Sequence, residues 1–312
     1  MSVGTFVKVS GVWKRVTRLY GKVSGAWKET INGYAKASGT YELVHVAFAA
    51  SSYTTVGAGS GSISVPSSAN AIHFQYGVGG GGGAVAGADY DKAGGESAGA
   101  GGGSAAYVSD VIFSVSGGSS YSYNIASGGN AGNSGNKFNI SASAGQATTV
   151  TGLFSLGGGG GASGTGGGVQ GPLRSNTAGT AGTLSVSGTK ITSGSYLDSS
   201  FTLKTVNGSN SDLTGGPVGS FNQQGNGAVG SNNGNCGGDN CRIGGSNGAA
   251  SYNGNHAGGT GGSASGSGTA GAHGTRGAGG GGGAAQVSGS PASTNGGNGG
   301  QGEFKYRFLN VF

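Results

Sequence analysis

The segment GVGGGGG, at residues 77–83, ends in five consecutive glycines, and so do SLGGGGG at 155–161 and GAGGGGG at 277–283. Such runs offer no side chain to a hydrophobic core. Glycine also loses more backbone freedom on folding than any other residue. If these runs are ordered, contacts between backbones must therefore hold them in place.

One ordered conformation open to a glycine run is the polyproline II helix, which has three residues per turn and no internal hydrogen bonds. Its N–H and C=O groups point outward, so helices lying side by side can bond laterally, with Cα–H···O contacts between them. Any Cβ would push such helices apart. We therefore predict that Gly81, Gly159 and Gly281 lie buried in packed polyglycine II helices, whose backbones form the core and satisfy one another's polar groups.

The composition makes a conventional core of Leu, Ile and Phe side chains hard to assemble. Glycine supplies 78 of the 312 residues, and only 8 % of residues are charged, against a usual ~25 %. Composition alone would favour disorder. However, the glycine runs sit between segments with strand-like alternation, which favours an ordered domain instead.

These strand-like segments predict a frame around the glycine runs, because apolar and polar residues alternate along them. We expect Phe113, Tyr121, Tyr123, Phe154 and Phe308 to build that frame, and the last segment to return and pair beside earlier strands. Overall, the sequence predicts a mostly β and irregular fold with almost no α-helix. The segments are 48–75, 106–116, 120–127, 147–156, 182–191, 196–206 and 303–312.

The N-terminal region contains a 14-residue repeat in three copies: FVKVSGVWKRVTRL (6–19), YGKVSGAWKETING (20–33) and YAKASGTYELVHVA (34–47). Ser-Gly in the middle of each copy is typical of a two-residue hairpin turn. Asn32-Gly33 predicts a second turn. We expect three hairpins forming a β-meander over 1–50, with the aromatic residues buried as a stripe, followed by a glycine-rich domain over 51–312.

The charge is concentrated in this repeat, since residues 1–50 hold seven Lys/Arg and two Glu. Basic charge can indicate nucleic-acid binding, but here it is spread through strands, which favours a solvated face. No stretch reaches the ~18 apolar residues of a membrane span. The N-terminus lacks the apolar region of a signal peptide, so we expect release by lysis rather than export.

The sequence offers little for catalysis, metals or cofactors. Cys236 and Cys241 enclose GGDN, and a local disulfide and two free thiols remain equally open; two thiols at this spacing lack partners for a metal site. GVGGGGG formally matches a dinucleotide-binding pattern, but chance matches are expected in so glycine-rich a chain. His73 alternates with Ile72 and Phe74, which is typical of a structural histidine. We expect no enzyme and no cofactor.

The five-glycine runs, the SYSYNIASGG segment (120–129) and the GGNGGQGEFKYRF ending (296–308) resemble the glycine-rich receptor-binding domains at the tips of phage tail fibres, of the T-even-like type. The VKVSGVWK and KVSGAWK repeats resemble Trp-Lys repeats at the start of phage tail proteins. The resemblance implies a polyglycine II sandwich in a virion tail adhesin. Its expected partners are other tail proteins and a bacterial outer-membrane protein or lipopolysaccharide.

Under this interpretation, the loops between glycine runs recognise the receptor, because loops on a rigid scaffold tolerate variation. The candidate loops are 88–97, 170–178, 195–213 and 236–257. Their candidate contact residues, taken as exposed, are Tyr90, Asp91, Arg174, Tyr196, Arg242, Tyr252 and His256. The candidate residues for attachment to the particle are Trp13, Lys14, Trp27, Lys28 and Tyr41.

Three alternatives remain open. The chain could be a purely structural minor tail protein. It could be a polysaccharide depolymerase, with a carboxylate pair assembled from distant residues. It could also be an ice-binding protein, which we would expect to show regular rows of Thr or Ala on a flat face.

Overall fold

The computed structural model describes most of the glycine-rich region and the strands of the N-terminal repeats. Every regular element in the described residues is a β-strand. Among these residues there is no helix that could cross a membrane. The described residues are 6–15, 20–23, 26–29, 32–37, 40–46, 48–85, 96–97, 99–132, 139–165, 175–206, 235–236, 242–243, 247–249, 260, 270–280, 282, 285–286, 292–293 and 295–311.

The strands, in chain order, are β1 (Phe6–Val9), β2 (Val12–Arg15), β3 (Tyr20–Val23), β4 (Ala26–Glu29), β5 (Asn32–Ala37), β6 (Thr40–Val46), β7 (Thr54–Val56), β8 (Gly59–Ser64), β9 (Ala71–Val78), β10 (Glu96–Ser97), β11 (Tyr107–Ser114), β12 (Ser120–Ile125), β13 (Asn139–Ser141), β14 (Thr148–Val150), β15 (Phe154–Leu156), β16 (Ser163–Thr165), β17 (Ser175–Thr177), β18 (Leu184–Val186), β19 (Gly194–Leu197), β20 (Leu203–Val206), β21 (Asn235–Cys236), β22 (Arg242–Ile243), β23 (Ala285–Gln286), β24 (Ala292–Ser293) and β25 (Glu303–Leu309).

Each N-terminal repeat contains one antiparallel hairpin, as predicted: β1 with β2, β3 with β4, and β5 with β6. In the first hairpin, Ser10 and Gly11 both have positive φ, at 50° and 84°, which is the backbone of a type I′ turn. The same register recurs in all three copies and sets a lysine opposite the second aromatic. The pairs are Lys8 with Trp13, Lys22 with Trp27, and Lys36 with Tyr41.

Two details of the repeat region differ from the prediction. The described strands pair only within each copy, in three two-stranded sheets, and do not join into one meander sheet. Asn32 and Gly33 were expected in a turn but belong to β5, because β6 continues to Val46 and pairs with Asn32 across a register shift at Gly33 and Tyr34.

The strands between the glycine runs form two facing sheets, ordered β11-β9-β25-β7 and β18-β15-β14-β12-β8. Apolar side chains from both sheets form one core, in which the Phe74 ring contacts the rings of Phe113, Phe154 and Phe304 edge-on. The predicted frame is confirmed: Phe113 and Phe154 are buried in this core, and Tyr121, Tyr123 and Phe308 pack against it. The final strand β25 returns between β9 and β7, also as predicted.

Between the strands run extended segments, here called rods, which are neither α- or 3₁₀-helices nor strands. They are rod 1 (79–85), rod 2 (100–106), rod 3 (126–132), rod 4 (142–147), rod 5 (157–162), rod 6 (178–183), rod 7 (270–274), rod 8 (277–280 and 282) and rod 9 (295–302). Backbone hydrogen bonds of about 2.7–3.2 Å connect each rod to its neighbours. The described glycines of the five-glycine runs lie in rods 1, 5 and 8.

Rod 1 shows that the rods are threefold helices. The amides of Gly79, Gly82 and Val85 donate to carbonyls of rod 2, those of Gly80 and Gly83 to rod 4, and those of Gly81 and Ala84 to rod 9. Every third residue thus faces the same neighbour. That period is the three residues per turn of the polyproline II helix, so the predicted polyglycine II packing is present.

Six rods surround rod 1. Its amides bond rods 2, 4 and 9, and its carbonyls accept hydrogen bonds from rods 3, 5 and 8. The six outer rods also bond one another in the ring order 2, 5, 4, 3, 9, 8. Rod 6 adds to this ring beside rods 2 and 5, and rod 7 adds beside rod 9. Rod 1 is therefore the centre of a hexagonal lattice whose core is backbone.

Only glycine fits the contacts at the centre of this lattice. A Cβ built on Gly81 would lie 1.9 Å from the carbonyl oxygen of Ala278, and one on Gly159 would lie 2.1 Å from that of Gly103. Both glycines are buried, as predicted. Gly281 lies outside the described residues, although Gly280 and Gly282 beside it are buried.

We expect Gly81→Ala to lower the free energy of unfolding by about 1–3 kcal/mol or more, because the added methyl must push two rods apart. Gly57→Ala is the matched control, since a Cβ at Gly57 meets nothing within 4 Å. Thermal unfolding of the two variants measures the difference. Equal midpoints for both variants would mean that close backbone contact does not hold the lattice together.

Candidate functional site

All the rods that continue strands meet the two sheets at one end of the lattice. Rods 1, 3 and 5 begin directly after β9, β12 and β15, whereas rods 2, 4, 6 and 9 end directly before β11, β14, β18 and β25. The hydrogen-bond registers agree, because rod 1 is parallel to rods 3 and 5 and antiparallel to rods 2, 4 and 9. The connections from rod 1 to 2, 3 to 4, 5 to 6 and 8 to 9 therefore all begin at the opposite end, here called the distal end.

Short antiparallel sheets link these connections to one another. One sheet is β13-β16-β17, from the connections after rods 3 and 5. A second pairs β10, which follows rod 1, with β21. A third is β22-β23-β24, in which β23 and β24 follow rod 8. The distal end thus gathers four connections and part of the 207–246 segment into one region.

Three of the sequence-predicted receptor residues, Tyr90, Asp91 and Arg174, belong by sequence to the connections from rod 1 to 2 and from rod 5 to 6. The backbone of Arg242 lies in β22. Tyr90, Asp91, Arg174, Tyr252 and His256 lie outside the described residues, so their contact with a receptor stays a prediction. Cys236 lies in β21, opposite Glu96. Cys241 lies outside the described residues, and the possible disulfide also stays a prediction.

Tyr196 is the exception, and its predicted exposure is wrong. It belongs to the β19–β20 hairpin, which packs on the outer face of the sheet β11-β9-β25-β7. Its side chain is 1 % exposed and packs against Ile112, Val206 and Leu309. The 195–206 part of the predicted 195–213 loop therefore covers the sheet and is remote from the distal end.

The candidate attachment residues all lie in the hairpin strands. Trp13 and Lys14 are in β2, Trp27 and Lys28 in β4, and Tyr41 in β6. Their backbone positions repeat from copy to copy, because the three hairpins share one register. Their role in attachment stays a prediction.

A polar cluster lies under the β19–β20 hairpin. Arg307, in the middle of β25, lies between the rings of Tyr53 and Tyr196, 4.5 and 5.5 Å from their centroids. It also donates a hydrogen bond of 3.1 Å to Tyr196 Oη. Arg307 thus joins the hairpin to the sheet by a hydrogen bond and a cation–π contact, both with Tyr196. Its second cation–π contact is with Tyr53, which lies outside the hairpin.

His73 is the buried partner of this cluster, with 1 % exposed, as expected for a structural histidine. Tyr53 Oη lies 3.0 Å from His73 Nδ1, and Arg307 Nε points at the same nitrogen from 3.4 Å. An arginine can only donate, so Nδ1 is the acceptor and the proton sits on Nε2. That nitrogen faces Asp110 Oδ1 at 3.6 Å, too far for a hydrogen bond.

The electrostatics of the cluster favour a structural role over catalysis. Burial raises the pKa of Tyr53 to about 12, so its hydroxyl stays protonated and is a poor nucleophile at neutral pH. Burial also lowers the pKa of His73, with Arg307 adding to this effect and Asp110 opposing it. In the described part of the chain, no three His, Cys, Asp or Glu side chains are grouped to hold a metal.

We expect Tyr196→Ala to lower the free energy of unfolding by about 3 kcal/mol, as for other large buried aromatic residues. Tyr196→Phe keeps the packing and loses only the hydrogen bond from Arg307, so it should cost about 1 kcal/mol. Chemical denaturation of both variants measures these costs. An alanine variant as stable as the parent would mean that the Tyr196 side chain is exposed, as the sequence predicted, and not buried.

The stability of the protein should fall in acid because of His73. Its pKa is lowered in the folded state, so the unfolded chain, with a histidine pKa of about 6.5, binds the proton more readily. Stability is therefore retained above pH 6.5 or so and decreases below it, by up to about 1.4 kcal/mol per pH unit. Urea unfolding between pH 5 and 8 should show this slope in the parent and a smaller slope in His73→Gln, whereas identical slopes would exclude His73 as the cause.

Comparison with known protein families gives a match over most of the chain. The sequence profile of a family described as a glycine-rich domain matches residues 36–308. No curated protein matches the chain significantly. The matched region includes all nine rods and both sheets except Leu309, the last residue of β25, and it covers well over half of the chain. The chain therefore belongs to this glycine-rich domain family.

Proposed function

We propose that this chain is a receptor-binding protein of a phage tail, which recognises a bacterial surface receptor through the connections at its distal end. One observation carries the proposal: four connections between rods begin at the same end of a lattice whose core is backbone. The sheets lie at the other end. Variable segments on a rigid scaffold are the usual arrangement of recognition proteins.

The lattice suits this role because its stability does not depend on which residues occupy the distal end. The rods are held by backbone hydrogen bonds and glycine contacts, so residues beyond the rod ends can change without disturbing the core. A rigid base also reduces the ordering cost of binding, since the connections leave from fixed positions. Aromatic and small polar residues, which the connections contain, form adaptable contact surfaces.

In this proposal, the three N-terminal hairpins attach the chain to other tail proteins. Their strands carry a regular lysine–aromatic pairing and most of the net positive charge of the chain. The protein would act in the virion tail after release by lysis. Attachment would then use the N-terminal hairpins, and recognition would use the connections at the distal end.

We expect Tyr90→Ala and Tyr252→Ala to weaken adsorption of the purified protein to host bacteria by at least tenfold without lowering its melting temperature. Leu203→Ser is the matched control, because Leu203 is 60 % exposed but lies on the β19–β20 hairpin, away from the distal end. Binding to a panel of bacterial strains, followed by flow cytometry of the labelled protein, measures adsorption. Failure of the parent protein to bind any strain would refute the proposed function.

A further inference from the structure

The β19–β20 hairpin lies on the outer face of the sheet β11-β9-β25-β7 as a separate unit. Its two strands pair with each other in a sheet of their own. An isolated bridge pairs Leu197 with Ala49, and the Ala50 amide donates to the Leu197 carbonyl. The apolar contacts of the hairpin belong to a small cluster that is distinct from the core between the sheets. Because a two-stranded hairpin is marginally stable alone, this one should lose its structure if it leaves the sheet.

The side-chain hydrogen bond that joins the hairpin to β25 depends on a neutral His73. Arg307 donates to Tyr196 Oη at 3.1 Å, and its Nε points at His73 Nδ1 from 3.4 Å. Tyr53 Oη lies 3.0 Å from the same nitrogen. Nδ1 can accept from these groups only while it carries no proton. The neutral ring therefore holds Arg307 in the position from which it reaches the hairpin.

The opposite side of the His73 ring is unsatisfied. In the described part of the chain, neither Nε2 nor the facing Asp110 Oδ1, 3.6 Å away, has a hydrogen-bond partner. Gln75, which lies across from Asp110 in the pairing of β9 with β11, also has a buried Oε1 without a partner. Leaving buried polar atoms unpaired is costly. A small movement of the ring toward Asp110 would pair two of these atoms, but it would take Nδ1 away from Arg307.

Protonation of His73 reverses the balance between the two sides of the ring. A protonated imidazole donates from both nitrogens, so its Nδ1–H would oppose the Nε–H of Arg307, and two positive groups would lie 3.4 Å apart. On the other side, the positive ring and the Asp110 carboxylate would form a charge-assisted hydrogen bond. The charged ring should therefore move toward Asp110 and repel Arg307.

Proton uptake by His73 should favour departure of the hairpin. Burial lowers the pKa of His73 in the closed structure, Asp110 opposes this effect, and Arg307 adds to it. Lys305, whose ammonium lies 5.3 Å from the centroid of the Tyr53 ring, adds a further positive charge to this side. Once the hairpin leaves and water reaches the ring, the pKa returns toward its usual value of about 6.5. The open form therefore binds the proton more tightly, and it becomes more populated as the pH falls below about 6.5.

Tyr53, Tyr196 and Asp198 titrate outside this range. Burial raises the pKa of Tyr53 to about 12 and also raises that of Tyr196, so both hydroxyls stay protonated. Asp198, in the turn of the hairpin, accepts hydrogen bonds from the amides of Ser200 and Thr202, and the bond from Thr202 lowers the pKa of this carboxyl. The stability that Asp198 contributes is lost only below its usual pKa of about 3.9.

We propose that the β19–β20 hairpin is an acid-sensitive cover, which leaves the outer face of the sheet when His73 takes up a proton and repels Arg307. Its departure exposes apolar side chains of Ala71, Ile112 and Leu309. The cover can open while the rest of the fold stays intact, because neither the core between the sheets nor the rod lattice includes the hairpin. The inference goes beyond the proposed function and does not rest on it.

Hydrogen exchange of backbone amides in the full chain, followed by NMR between pH 5 and 8, tests the proposal. Exchange rates are compared with those of an unstructured peptide at the same pH, which gives the protection of each amide. The Ala50 amide reports the docked hairpin, because it donates to Leu197, whereas the Gly82 amide donates to Gly103 and reports unfolding of the lattice. Low urea separates the two processes, since it accelerates mainly those openings that expose much surface.

We expect the protection of Ala50 to fall at least tenfold between pH 8 and pH 5, because opening gains up to about tenfold for each pH unit below about 6.5. Ala50 should stay less protected than Gly82 and respond little to low urea. His73→Gln keeps an acceptor for Arg307 but takes up no proton, so it should remove this pH dependence. Asp198→Asn is the matched control, because it keeps an acceptor in the hairpin turn, and its pH dependence should equal that of the parent.

The inference is overturned if the protection of Ala50 does not change with pH. It is also overturned if Ala50 and Gly82 share the same protection and the same response to urea, because acid then acts on the whole fold. Both comparisons use the parent alone and need no variant. A folded His73→Gln variant that loses protection in acid as the parent does would exclude His73 as the cause and overturn the inference as well.

Discussion

The rest of the structure depends on lateral N–H···O=C hydrogen bonds between polyglycine rods. Each such bond is worth only about 1 kcal/mol net, but a buried amide left without a partner would cost about 1–3 kcal/mol. A closed ring of six rods around rod 1 meets this demand, because every amide of residues 79–85 has an acceptor on a neighbouring rod. The absence of Cβ atoms makes the approach possible: at Gly82, a Cβ would lie 1.9 Å from the carbonyl oxygen of Gly160.

The lattice is a continuation of the sandwich without its side-chain core. Strand neighbours remain rod neighbours, since the pairs β9–β11, β9–β25, β12–β14, β14–β15 and β15–β18 all continue as bonded rods. Rods 1 and 5, however, also bond directly across what is a side-chain layer in the sandwich. In the sandwich, Phe74 and Phe154 keep the two sheets apart, at the ~10 Å that is usual for stacked sheets. In the lattice, glycines take the place of such side chains, so the backbones come into direct contact.

The frame strands and the buried glycine rods could be predicted, because each is determined by residues that are close together in the chain. Alternation identified the frame aromatic residues, and five glycines in a row identified the buried rods, because both signals lie within a few residues. The neighbours of each rod could not be predicted, since any polyglycine segment can bond any other. The burial of Tyr196 also depends on a distant sheet. One signal was present and missed: the TAGTAGT repeat at 177–183 has the three-residue period of rod 6 and its exposed threonines.

The site was less predictable than the fold. Which connections lie together at one end of the lattice depends on the directions of the rods, and the sequence of a loop does not show those directions. The whole account therefore depends on the threefold bonding of rod 1. Scalar couplings across hydrogen bonds, measured by NMR on labelled protein, test it most directly. The amide nitrogens of Gly79 and Gly82 should couple to the carbonyl carbons of Ala106 and Gly103, and that of Gly83 to Ser143. Couplings from consecutive residues of rod 1 to a single neighbouring segment, or none at all, would contradict the lattice.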